Sequence, residues 1–351
     1  MAQLIAPEQL LAPRLNSHVG EILPSTLVDG FGRVHNNLRI SITDRCDFRC
    51  VYCMPEEMEF YAREVLLTYE ELQRLAGIFV RLGVDKIRLT GGEPLVRRDV
   101  TRLVEALTRL PGIRDLSLTT NGGRLEQFAQ GLWDAGLRRI NVSLDTLDAE
   151  RFKELTRRPF FDAVLRGLEE AGRVGFHPIK VNAVAMRGYI DDELIPFAEL
   201  ARSRRFQVRF IEFMPLDGDG GWGRAQVLTA AEIVQTIHAV YPLERVSPAG
   251  SSDPATLYRF LDGGGEIGVI PTVSEPFCAT CNRVRLTADG KLRYCLFANQ
   301  ETDLKGPMRA GASDEQIAWL IVDTVRQKWA GHLINQTGFE KPIRNMSQIG
   351  G

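Results

Sequence analysis

Between residues 38 and 212 the sequence alternates short apolar runs with helical patterns, and no other feature limits the fold so strongly. The runs are LRISIT (38–43), KIRLT (86–90), DLSLTT (115–120), RINVS (139–143), IKVNAVA (179–185) and QVRFIE (207–212). The intervening segments carry helix-like periodicity at 99–110, 124–135, 149–156, 160–174 and 191–202. Ahead of these, Thr68 with Glu71 forms a capping-box pattern before ELQRLAGIFVRLG, and Gly83 stands where that helix should stop. Strict β/α alternation implies a parallel sheet with right-handed crossovers and a site at the C-terminal strand ends. Eight units would close a barrel, whereas this pattern has six. The expected fold is α/β: a partial, open six-stranded β/α TIM-type barrel.

After Glu212 the rhythm fails. FMPLDGDGGWGR is loop-like, a helix is expected over 229–241, and short strands at 256–261 and 267–271 surround the turn signal DGGG. A last helix over 314–329 precedes the tail MSQIGG. This region is expected to be an α+β lid against the barrel's open side. The corresponding division is an N-terminal extension (1–27), a barrel (28–215) and a C-terminal substrate-binding region (216–351). The extension is compatible with either a helix packed on the barrel or a disordered arm. The start lacks the basic and apolar segments of a secretory signal, and no run approaches the roughly 18 apolar residues of a membrane span. With 43 basic against 45 acidic residues, the net charge of −2 gives no global drive toward nucleic acid or membrane. A cytoplasmic location is expected.

Six cysteines fall into two groups of three. Cys46, Cys50 and Cys53 (C-x3-C-x2-C) follow the first strand, at the expected catalytic end. Cys278, Cys281 and Cys295 (C-x2-C-x13-C) lie in the lid, the last delivered by the strand-like KLRYC. Disulfides suit a cytoplasmic chain of this size poorly, and a trio cannot pair off internally. A zinc-binding module is a stronger rival, although zinc usually takes four protein ligands; His238 or His332 could complete one set. Three thiolates also suit a [4Fe-4S] cluster with one iron left open to a substrate or cofactor, because cluster iron prefers soft sulfur. Iron and sulfide counts separate these readings.

CDFRCVYC, with an aromatic residue just before its last cysteine, resembles the signature of radical S-adenosylmethionine (SAM) enzymes. LRISITDRC, IRLTGGEP, LTTNG, NVSLDT, KVNAV, IEFMP, CNRVRLT and the closing Gly-Gly resemble, in order from about residue 28 onward, the GTP 3′,8-cyclase family of molybdenum cofactor biosynthesis. Another radical SAM enzyme with an auxiliary cluster, such as a peptide-modifying maturase, shares the barrel and both trios.

The resemblance implies two [4Fe-4S] clusters and SAM as cofactors, the second cluster lying in the lid. It implies a carbon–carbon lyase that converts GTP to (8S)-3′,8-cyclo-7,8-dihydroguanosine 5′-triphosphate, with a hydrogen taken from C3′ and a bond made to C8. SAM contacts map onto Tyr52, Gly92, Ser143 and Met214. Gly92 would let backbone approach the methionine amino group. Substrate contacts map onto Arg39, Arg88, Thr119, Lys180, Arg283, Val284 and Arg285, and the residues nearest the chemistry onto Arg39, Arg283, Arg285, Gly350 and Gly351. Arg283 and Arg285 alternate in an extended segment, so both should face one way and suit a triphosphate through guanidinium forks. Arg39 and Arg88 sit within apolar strand patterns, which argues for a polar interior holding an anion. The implied partners are GTP, an electron donor of unknown identity, and cyclic pyranopterin monophosphate synthase as recipient of the product. The chain itself is expected to be a monomer or homodimer.

Overall fold

The computed structural model describes residues 10–11, 18, 20–204, 206–216, 221–246 and 252–350. In chain order its strands are β1 (Leu10–Leu11), β2 (Asn37–Ser41), β3 (Lys86–Thr90), β4 (Asp115–Thr120), β5 (Arg139–Ser143), β6 (Lys180–Ala185), β7 (Gln207–Glu212), β8 (Leu243–Val246), β9 (Thr256–Phe260), β10 (Glu266–Ile270), β11 (Arg283–Leu286), β12 (Lys291–Arg293) and β13 (Glu301–Asp303). The helices are α1 (Tyr69–Arg81), α2 (Val100–Thr108), α3 (Leu125–Asp134), α4 (Ala149–Thr156), α5 (Phe161–Val174), α6 (Leu194–Arg204), α7 (Ala230–Val240), α8 (Lys305–Arg309), α9 (Asp314–Arg326) and α10 (Met346–Ile349). No helix among the described residues is long and apolar enough to cross a membrane.

Strands β2 to β7 pair in sequence order, all parallel, and each matches an expected run to within two residues. Local chemistry explains the helices between them. At α1 the Thr68 hydroxyl accepts from the Glu71 N–H, and the Glu71 carboxylate accepts from the Thr68 N–H at 2.8 Å. Gly83, at φ +89°, turns the chain out of that helix. Helix α6 begins at Leu194 rather than 191: Glu193 N donates to Ile190 O in a preceding turn, and the Glu193 carbonyl accepts from Phe197 N at 2.9 Å as the helix starts.

Each strand has two faces of opposite character. Leu38 and Ile40 of β2, Leu89 of β3, Leu118 of β4 and Val142 of β5 are fully buried with Leu72, Leu75 and Phe79 of α1 in one apolar cluster. Their neighbours in sequence, Arg39 and Arg88, therefore point to the opposite face. That face holds the site.

The C-terminal region is not a separate layer. Its strands extend the same sheet at both edges, in the order β1-β13-β12-β11-β2-β3-β4-β5-β6-β7-β10-β9-β8. β11 lies parallel to β2, and β10 parallel to β7. Glu212, at the end of β7, ties this region down: its buried carboxylate accepts from Ala230 N, Val273 N and Ser274 N. Where the N-terminal extension is described it is neither helix nor free arm: β1 pairs in parallel with β13, and Leu27 is buried in the core. The tail is likewise ordered, as α10 capped by Asn345, whose side chain accepts from Gln348 N.

Candidate active site

The loop after β2 carries Cys46, Cys50 and Cys53. Cys53 N and Met54 N both donate to the Cys50 carbonyl, at 2.9 and 3.0 Å, which folds the last two cysteines into one turn. The GGEP segment clamps this loop from below. Gly92 N donates to Thr43 O and Glu93 N to Arg45 O, both at 2.7 Å. A Cβ on Gly92 would lie 2.4 Å from the Arg45 carbonyl oxygen. The sequence reading explained this glycine by room for a ligand; the geometry gives it a second task, close packing against the backbone that leads into the cysteines. Glu93 is fully buried and accepts from Leu95 N, Asn121 N and the Thr120 hydroxyl. Burial pushes its carboxyl up to about 7.

Cys278 and Cys281 form a second turn, with Cys281 N donating to Cys278 O at 3.1 Å, and Cys295 follows β12. All six thiols are free, and all six line one cavity. Its volume is about 290 Å3. Burial drives the Cys50 and Cys53 thiols upward, Cys53 to about 12. At Cys281 burial also acts upward, but Arg283 and Lys328 outweigh it and hold the thiol down to about 6.

Among the described residues no three His, Cys, Asp or Glu side chains converge on a point where one metal ion could sit. A zinc ion needs such convergence, whereas an iron–sulfur cluster takes each thiolate on a different iron and so needs thiols spread around a void. All six thiols border the same void, as the second requirement asks. His238, considered above as a zinc ligand, lines a different hollow and accepts from Leu243 N. His332 does line the cavity, without completing an ion-sized set.

The wall between the trios is cationic. In the sheet register Arg285 of β11 stands opposite Arg39 of β2, which stands opposite Arg88 of β3. Like charges directly opposite one another are destabilising unless an anion joins them. Burial, then Arg285 and Arg88, pull the Arg39 guanidinium well below its ordinary range. Arg88 is drawn to about 10 and Arg285 to about 9, burial first and neighbouring arginines second. Lys180, also buried, falls to about 7 through burial, Arg209 and Arg139. Arg39 Nε and one Arg283 terminal nitrogen are buried without a hydrogen-bond partner. Orphaned guanidinium donors on a cavity wall are what a site for a multiply charged anion requires.

Tyr52, Gly92, Ser143, Met214, Arg39, Thr119, Arg283 and Arg285 all line the cavity. Arg88 and Lys180 lie deeper, Arg88 donating to the Ser117 hydroxyl at 3.2 Å. Val284 faces the apolar core, so only its backbone is open to a ligand. Gly350 is buried, at φ +86°, and its carbonyl accepts from Arg285. A Cβ there would lie 2.9 Å from Ser41 Cβ, so the tail enters at the strand ends as a chain without a side chain. Gly351 lies outside the described residues.

Three further residues of the quoted motifs also line the cavity, although no spacing in the sequence marks them. Asp145, in NVSLDT, accepts from the Tyr52 hydroxyl and from Val184 N. Asn121, in LTTNG, donates to Asp47 at 2.8 Å and approaches the Cys46 sulfur at 3.7 Å. Asn182, in KVNAV, lines the cavity with its side-chain oxygen unpartnered, and its cross-strand neighbour Arg209 adds another buried cation.

A family model described as the Radical SAM superfamily matches residues 40–201, and one described as Molybdenum Cofactor Synthesis C matches residues 206–334. A GTP 3′,8-cyclase of Rhodopirellula baltica is 47% identical over 334 residues, covering 93% of both chains. The chain belongs to the GTP 3′,8-cyclase family. A second member, from Moorella thermoacetica, is 46% identical over 92% of this chain and 99% of its own. The human molybdenum cofactor biosynthesis protein 1 is 45% identical over 87% of this chain and 48% of its own length, so this cyclase-family chain spans about half of that protein. Among solved structures, Streptococcus suis SuiB bound to S-adenosylmethionine superposes with a TM-score of 0.56 at 16% identity, covering 84% of this chain and 69% of that one. At that identity the likeness concerns the fold.

Proposed function

We propose that this chain is a radical SAM enzyme that converts GTP to (8S)-3′,8-cyclo-7,8-dihydroguanosine 5′-triphosphate. The observation that carries the reading is the juxtaposition in one cavity of two cysteine trios with Arg39, Arg283 and Arg285, the row Arg285–Arg39 continuing in register to Arg88 behind the wall. Cys46, Cys50 and Cys53 would hold the cluster that works with SAM, and Cys278, Cys281 and Cys295 the cluster that faces the substrate. When bound, SAM and its cluster supply the one-electron chemistry that opens the reaction.

The chain's own residues bind and orient. Tyr52, Gly92, Ser143 and Met214 form the SAM side of the cavity, with Asp145 fixing the Tyr52 ring. Arg283, Arg285 and Arg39 take the charge of GTP, while Arg88 and Lys180 continue the positive field below them; Thr119 and the Val284 backbone complete the substrate contacts. Gly350 brings bare backbone toward the reacting atoms, and Gly351, outside the described residues, is assigned the same role by the family resemblance alone. Holding ribose C3′ and guanine C8 in near-attack geometry is the protein's contribution to rate. The finer architecture in this reading is a six-stranded partial barrel whose open side is covered by the C-terminal region with its cluster. The reading also includes a cytoplasmic site of action, where thiols stay reduced, a separate electron donor, and delivery of the product to cyclic pyranopterin monophosphate synthase.

Anaerobic incubation of the reconstituted chain with SAM, dithionite and each nucleoside triphosphate in turn tests it. The 5′-deoxyadenosine released should depend on GTP and match a cyclised guanosine product. Equal release with ATP or CTP would overturn the substrate assignment.

A further inference from the structure

Behind the second cysteine trio, on the side away from the cavity, lies a buried ammonium that the binding scheme above does not use. Lys328 follows α9 and is 4% exposed. An ammonium has three N–H donors, and here each has a partner. One goes to the Arg283 carbonyl at 2.7 Å, one toward His35 Nδ1 at 3.5 Å and one to the Cys281 sulfur at 3.4 Å. His35 is itself fully buried, and its Nε2 lies 2.9 Å from the Asp29 carboxylate. That contact fixes the tautomer: Nε2–H donates to Asp29, which leaves the Nδ1 lone pair free to accept from Lys328. Asp29 is held in turn by Phe31 N, Arg33 N and Arg33 Nε. Arg33 also donates to the Cys278 carbonyl at 2.8 Å, so the same relay grips a second cysteine of the trio.

A buried lysine in a folded chain is costly unless its charge meets a compensating one. Asp29 is separated from it by the His35 ring, and among the described residues the anionic group that contacts it is the sulfur of Cys281 in its thiolate form. A charge-assisted N–H···S bond to a cluster thiolate favours the state in which the cluster carries one more electron, because hydrogen bonds to the sulfurs and nearby charge set cluster potentials.

We propose that Lys328, oriented by the Asp29–His35 pair, is a positioning residue that raises the reduction potential of the second cluster through Cys281. The inference rests on the two-cluster reading given above. In the reduction that it biases, one electron enters the cluster from an external donor, and no proton passes to or from Lys328.

The test uses the full chain with Cys46, Cys50 and Cys53 replaced by alanine, reconstituted anaerobically so that only the second cluster remains. Iron and sulfide are counted, and the cluster is titrated with dithionite through redox mediators under electron paramagnetic resonance. Lys328→Met should retain the iron and sulfide of its parent and shift the midpoint to a more negative potential, while Lys328→Arg, which keeps the charge and a donor, should return it toward the parent value. If Lys328→Met does not assemble, Lys328→Gln carries the comparison, with a shift in the same direction. An unchanged midpoint in a variant with full iron content overturns the proposal. Absence of iron and sulfide in the parent itself overturns the two-cluster reading instead, so the two failures are distinguishable.

Discussion

Arg39 of β2 stands directly opposite Arg285 of β11, the strand through which the C-terminal region joins the sheet. A pair of like charges in parallel register has no structural merit of its own. It makes sense as half of a binding site whose other half is an anion, and it places the seam between the β/α strands and the C-terminal strands at the centre of that site. The Arg39→Leu variant should therefore keep or gain stability without ligand, by up to about 1 kcal/mol from relieved repulsion. It should lose GTP affinity by roughly 10- to 100-fold, the worth of a charge-assisted contact of about 1.5–3 kcal/mol. Melting curves with and without GTP, together with calorimetric titration, check both signs.

Gly92 makes a different demand. Because a Cβ would meet the Arg45 carbonyl at 2.4 Å, Gly92→Ala should push the loop that leads into Cys46 out of place. The expected outcome is selective: the first trio loses its cluster and the second keeps it, so iron falls from about eight to about four per chain. An iron and sulfide assay on the reconstituted variant reads this directly.

The relay behind the second trio has a pH signature. Burial first, and Lys328 second, lower the His35 imidazole to about 4, so the folded chain prefers it neutral. Burial acts upward on Asp29, but hydrogen bonds from His35 and Arg33 outweigh it and leave the carboxyl at about 2. Both folded values lie below the unfolded ones of 6.5 and 3.8, so both groups stabilise at neutral pH and lose that contribution on acidification. His35 gives way as pH falls from 6.5 toward 4, with Asp29, Arg33 and Lys328 as the charges facing it; Asp29 follows from 3.8 toward 2, a loss of about 2 kcal/mol. Urea unfolding of the cluster-free chain against pH should show the earlier decline, and His35→Gln should remove it.

Cys281→Ala separates the two halves of the cavity. Removal of one thiol from the second trio should leave SAM cleavage partly intact and abolish cyclisation of GTP. Chromatography of 5′-deoxyadenosine and of the cyclised nucleotide from one reaction gives both readings, and normal product would show that the second trio is dispensable.

The β/α core was legible because each strand and helix there is decided locally. Period-two apolar runs, Thr68 with Glu71 and the stop at Gly83 are all short-range signals, and β2 to β7 lie where the sequence puts them. The C-terminal strands were harder because their partners are distant. Nothing within CNRVRL says that it will lie beside LRISIT, so the expectation of an α+β lid against the open side did not include the continuation of the central sheet through β11 and β10. In the site, alternation alone put Arg283 and Arg285 on one face; that Val284, named with them as a substrate contact, packs its side chain into the apolar core is seen only in the fold. Lys328 and Asp145 escaped notice for another reason: each owes its role to a single contact across the fold, with Cys281 and Tyr52 respectively, and a lone lysine or aspartate carries no spacing by which to read it.

The central claim is that one cavity brings ribose C3′ of GTP within reach of the SAM side. Incubation of the reconstituted chain with SAM and GTP deuterated at C3′, followed by mass spectrometry of the 5′-deoxyadenosine, measures that most directly. The account predicts one deuterium carried into 5′-deoxyadenosine, with cyclised product formed in step. Unlabelled 5′-deoxyadenosine formed alongside the cyclised product would contradict it.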